Sequence, residues 1–168
     1  MTKSNLFLIA FVLASIGEIA SVIANSPARF AIKPCIILII IGYYLTSAKQ
    51  RNATLLGALF FCWVGDCLLM FAPNGELYFI LGLLAFLVGH LFFIFAFRQF
   101  VWNQPSTLLP TQKVRYVFPV FLSGTGLIVI LYPGLGSLKF PVIIYATVLM
   151  IMVTTALLRV GRTSTSSF

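Results

Sequence analysis

The chain has 168 residues, 61% of them hydrophobic and 8% charged, with a net charge of +8 and a mean hydropathy of +1.09. Such a balance excludes a water-soluble globular domain. The eleven Lys and Arg residues stand singly between apolar runs and make no basic face, which sets nucleic acid aside and leaves the lipid bilayer as partner.

A helix crosses the hydrocarbon core in about 20 residues, with roughly 17–25 as the usual range. Six runs qualify: 6–24, 31–47, 55–72, 77–97, 116–132 and 140–158. The first follows Lys3 and is long for a signal-peptide apolar region, so it reads as a retained helix. Ser15, Glu18, Ser21 and Asn25 line one side of it, and that side faces protein or water rather than lipid. The second run is short and carries Lys33-Pro34. The third is 18 residues long with Asp66 as its one charge. A carboxylate in the bilayer interior costs roughly 2.5–3.5 kcal/mol on insertion scales, and so short a side chain cannot snorkel out. Asp66 therefore faces a partner or a polar cavity.

The fourth run holds His90 beside Gly82, Ala85 and Gly89, a small-residue seam that lets helices approach closely. The fifth is short and contains Pro119 and Ser123-Gly124-Thr125-Gly126, which predicts a kink or partial break. In the sixth, Tyr145, Met152, Ala156 and Arg159 fall within about a 60° arc. Cys35, Cys62 and Cys67 all lie in apolar runs, so no disulfide framework is expected. Cys62 and Cys67 point about 140° apart on a helix, which argues against a metal pair. No metal and no cofactor is expected. The phenylalanines serve packing and lipid contact first.

Rise per residue places Glu18 roughly 20 Å and Asp66 roughly 18 Å from the cytoplasmic ends of their helices, and His90 roughly 12 Å above Arg98. Three helices thus carry two acids and an imidazole into the interior of a helix bundle. Each has a plainer reading: Glu18 bonded to its serine neighbours, His90 as a satisfied structural histidine, Tyr145 and Arg159 as interface anchors. Lys3, Lys49, Arg51, Arg98, Lys113, Arg115, Arg159 and Arg162 gather on one side of the membrane, against Arg29, Lys33 and Lys139 on the other. Eight against three predicts both chain ends in the cytoplasm. The fold class expected is all-α, a polytopic transmembrane helix bundle forming one domain over residues 1–168.

Two stretches carry a family resemblance. Gly65-Asp66 with Leu69 matches a GD-x-x-L segment, and Phe79, Gly82, Phe86 and His90 match F-x-x-G-x-x-x-F-x-x-x-H. With Lys33-Pro34 and the Tyr145–Arg159 face, the chain resembles the YhhN/TMEM86 family of membrane proteins along its whole length. The resemblance implies a lysoplasmalogenase, which hydrolyses the vinyl-ether bond of a lysoplasmalogen to a fatty aldehyde and a glycerophospho-base. It implies a lysophospholipid partner and, in a bacterium, the inner membrane. Asp66 is then the expected general acid, with His90 or Glu18 positioning or deprotonating the water. Lys33, Tyr145 and Arg159 are the expected phosphate or glycerol contacts. The family pattern also has about eight spans and a second acidic S-D motif in a later helix. The present sequence reaches Phe168 with six spans and without that motif, so it reads either as a truncated chain or as a shortened relative, and the motif's aspartate is the stronger candidate for handling the water. Two other readings stay open on the residues alone: a proton-coupled small-molecule or lipid transporter, and a catalytically silent lipid-binding protein.

Overall fold

A computed structural model describes residues 3–48, 50–101, 106, 108–160 and 162, with the side chains of 3, 4 and 137 outside that description. Lys49, an orientation marker, and the tail at 163–168 also lie outside it. Every regular element among the described residues is helical: α1 (Lys3–Ile23), α2 (Arg29–Ser47), α3 (Ala53–Met70), α4 (Glu76–Gln99), α5 (Pro110–Leu131) and α6 (Lys139–Leu157). All six are long and apolar enough to cross a membrane. Helix is what hydrocarbon demands, because a chain in lipid must satisfy its backbone N–H and C=O groups internally. Large apolar side chains such as Ile23 (79% exposed) and Ile130 (76%) stand on the outer surface, as lipid requires and water would penalise.

The helix ends follow local chemistry. Asn25, at φ 49°, takes the left-handed position after α1, and the N–H of Ser26 bonds to the Ser21 carbonyl while that of Asn25 bonds to Val22. That is a Schellman stop with asparagine in place of glycine. The Asn52 side chain accepts a 3.1 Å hydrogen bond from the Leu55 N–H and so caps α3. Glu76 in the first turn of α4 and Arg98 in its last complement the helix dipole.

The fifth helix corrects the expected partial break. It runs unbroken from Pro110, six residues before the predicted start, through Pro119 and the Ser-Gly-Thr-Gly segment. Pro110 opens it where a missing N–H costs nothing, and Gln112 Oε1 accepts the Leu109 N–H at 2.9 Å. Pro34 likewise sits inside α2 without ending it. Gly124 serves packing instead of a break, since a Cβ there would run into the Met150 side chain of α6.

The chain divides into two compact units, Met1–Gly89 and His90–Phe168, with the boundary inside α4. In the first, a Cβ on Gly42 would strike the Phe7 ring, and one on Gly17 would touch Ile32 at 3.6 Å. Ten residues up α1 thus match ten residues down α2, an antiparallel pair. Cysteine and glycine set the next interface. A Cβ on Gly89 would stand 2.9 Å from Cys62 Sγ, and one on Gly82 would stand 2.8 Å from Leu69. The expected seam on the fourth helix therefore packs against α3, in an antiparallel register repeating every seven residues. In the second unit α5 packs on α6.

Candidate functional site

The first unit gathers charge. Lys33 Nζ lies 3.6 Å from Asp66 Oδ1, joining α2 to α3, with the two side chains 37% and 21% exposed. Asp66 therefore faces a partner helix, as its cost in lipid requires. Glu18 is within electrostatic reach of the same carboxylate. The antiparallel register puts Glu18 of α1 level with Ala31 of α2, about half a turn from Lys33. Ser21, buried, donates to the Glu18 carbonyl oxygen at 2.8 Å, and its hydroxyl lies 3.5 Å from Glu18 Oε2. Ser15 bonds the Phe11 carbonyl at 2.8 Å, so that part of the polar stripe is locally satisfied. Two carboxylates and one ammonium thus come from three successive helices.

The helix ends fix where this cluster lies. Lys33 is four residues inside the start of α2 and Asp66 four residues before the end of α3, about 6 Å or one turn from those ends. Glu18 is five residues before the end of α1. The sequence placed these acids in the middle of the bundle; in the structure α3 ends at Met70 and α1 at Ile23, four and five residues beyond them. Above the pair, at the mouth these ends form, stand the rings of Phe30, Phe71 and Tyr78.

The second unit holds the other candidates. His90 is buried, with its ring centroid 5.4 Å from that of Tyr145 and the planes at 55°. Arg159, also buried, lays its guanidinium over Phe97 at 5.0 Å and Phe100 at 5.2 Å. Tyr145 and Arg159 share a helix face, but their ring contacts differ: the tyrosine is with the imidazole, the arginine with two phenylalanines. Among the described residues no three His, Cys, Asp or Glu side chains gather as a metal site, and Cys35, Cys62 and Cys67 are free thiols.

Sequence reasoning missed two features. It gave Lys33 to phosphate and overlooked its pairing with Asp66. The signal was present: each is the one charge in its run, and each lies one turn from the same helix ends. It also did not see the convergence of Phe30, Phe71 and Tyr78, which depends on loop geometry that no spacing rule encodes.

The profile described as the YhhN family matches residues 28–168. Lys33, Asp66, His90, Tyr145 and Arg159 fall inside the match, while α1 and its Glu18 precede it, so the likeness covers less than the whole length expected. No curated protein and no solved structure matches the chain.

Proposed function

The chain belongs to the YhhN family, and from that premise we propose that it is a membrane-embedded hydrolase of the vinyl-ether bond of lysoplasmalogens. The observation that carries the reading is the Glu18–Lys33–Asp66 cluster, one turn inside the helix ends. In a single-chain ether lipid the scissile bond adjoins the glycerol, directly below the phosphate. An acid buried one turn below the mouth suits that depth better than one at the bilayer centre.

Glu18, Lys33 and Asp66 bring two carboxyl groups and one ammonium together, and Asp66 is the acid that delivers a proton to the carbon β to the ether oxygen, forming an oxocarbenium ion. The carboxylate left behind stabilises it. Water adds to the cationic carbon, its proton passes to the Asp66 carboxylate, and the hemiacetal collapses to aldehyde and glycerol hydroxyl. One water is consumed and the catalyst's proton is returned. Lys33 holds a polar part of the lipid, and no metal or cofactor enters the scheme. His90 and Tyr145 make a separate pair in the second unit, where His90 is the second candidate base. Both chain ends are assigned to the cytoplasm, so the cluster opens toward the opposite leaflet.

The test is aldehyde release in vesicles. Asp66→Asn and His90→Gln should each lower turnover by roughly 10²–10⁴-fold; near-normal rates in both would end the assignment. The ion pair also suits a proton-coupled transporter, since intramembrane acid–base pairs serve proton relays. Uptake into proteoliposomes without any aldehyde product would favour that reading.

A further inference from the structure

Three aromatic rings meet at one end of the first unit, from three different helix termini. Phe30 opens α2, Phe71 follows the end of α3 and Tyr78 lies in the first turn of α4. Phe30 and Phe71 have centroids 6.4 Å apart, Phe71 and Tyr78 5.9 Å, with planes tilted by 45° and 44°. The rings are 47%, 46% and 41% exposed, so their faces are open and do not form a core. One face already holds a cation: the Arg29 guanidinium lies 5.5 Å from the Phe30 centroid. Lys33 follows Arg29 by one turn of the same helix and stays 37% exposed while paired with Asp66.

Open aromatic faces bind a quaternary ammonium well, because it has little hydration to lose and no N–H donors to leave unmatched. A primary ammonium finds no acceptor in the rings and gains less. Beside the rings, two basic side chains one turn apart attract a phosphate. Phosphate and quaternary ammonium joined by two carbons is the phosphocholine headgroup. Isolated interface aromatics would explain single rings at a membrane surface; they do not explain three rings converging beside a guanidinium.

We propose that this mouth is a phosphocholine site, with the phosphate between Arg29 and Lys33 and the trimethylammonium over Phe71 and Tyr78. The assignment rests on the hydrolase reading for its purpose: a phosphate held there sets the glycerol ether one turn inward, at Asp66. As a binding site it stands on the rings and charges alone, and it favours choline over ethanolamine substrates.

The test uses the full chain in phosphatidylglycerol vesicles, which contribute no choline, and measures binding of lysophosphatidylcholine and lysophosphatidylethanolamine without turnover. The choline probe should bind roughly tenfold more tightly. Phe71→Leu and Tyr78→Leu keep apolar bulk and should erase most of that preference, while Tyr78→Phe should retain it. Arg29→Gln should weaken both probes by a similar factor. Competition by two-chain phosphatidylcholine would mark the site as reading any choline lipid, and its failure to compete would mark it as reading the single-chain substrate; either result upholds the site. Equal affinity for the two probes in the parent protein, or an unchanged preference in both leucine variants, overturns it. A retained choline preference without aldehyde release would sink the hydrolase and leave the headgroup site standing.

Discussion

At the scale of single residues, the decisive pair is Lys33 and Asp66. Neither charge is stable alone in an apolar setting, so each is present because of the other. Their 3.6 Å separation, with both side chains partly exposed, marks a loose contact that a substrate oxygen can enter. Lys33→Met should destabilise the protein by stranding the carboxylate, and Asp66→Asn by stranding the ammonium. Together the two changes should cost less than their sum, with a coupling of about 1–3 kcal/mol from a double-mutant cycle of unfolding in micelles. A coupling near zero would mean that the pair is not formed in the membrane. Arg159 makes a second residue-scale case. Its guanidinium lies against two phenylalanine rings, at 5.0 and 5.2 Å, and a cation over a desolvated ring is worth up to about 2 kcal/mol. Phe97→Leu should therefore lower stability by about 1–2 kcal/mol, read as the same unfolding shift, and the loss should be smaller when Arg159 is already Gln.

At the scale of elements, the interface of α3 with α4 depends on missing side chains. A Cβ on Gly89 would stand 3.2 Å from the Ala58 carbonyl oxygen as well as against Cys62, and backbone cannot yield as a flexible side chain can. Gly89→Ala should therefore cost about 1–3 kcal/mol. Gly126 in α5 has nothing within 4 Å of its would-be Cβ, so Gly126→Ala should be neutral or stabilising by up to about 1 kcal/mol through helix propensity. The opposite signs, read in one melting series, separate packing glycines from permissive ones. All six helices were legible in the sequence because length and uninterrupted apolarity decide a spanning segment. Their ends agree within three residues except at α5, where the charged turn from Pro110 to Arg115 hid the start. The seam of Gly82 and Gly89 was legible too, from periodicity alone. Of the site, Asp66 and His90 stood out as isolated polar groups in apolar runs. What meets Asp66 did not, because pairing across helices depends on register, and register is set by contacts such as Phe7 with Gly42 that composition leaves unordered. The aromatic mouth was hidden for the same reason: its members are separated by 41 and 7 residues in the chain.

At the scale of the whole molecule, the structure sharpens the charge argument for orientation. Lys33 is engaged with Asp66 and Arg159 is buried against phenylalanines, so neither is a free marker of the cytoplasmic side. Setting both aside changes eight against three to seven against two, and the bias grows. The proposal of cytoplasmic ends keeps that positive-inside basis, and labelling tests it. With Cys35, Cys62 and Cys67 replaced by alanine, single cysteines introduced at Asn74 and Gly134 should react with an impermeant thiol reagent on intact cells. Cysteines at Gln50 and Ser106 should react only after permeabilisation. The reverse pattern would invert the protein and send the Lys33–Asp66 mouth to the cytoplasmic leaflet. Orientation thereby decides which lipid pool supplies the substrate. If the mouth faces outward, an alkenyl lysolipid added to intact cells should yield aldehyde without first crossing the membrane. The yield should fall in Asp66→Asn cells, and blocking lipid translocation should leave it unchanged.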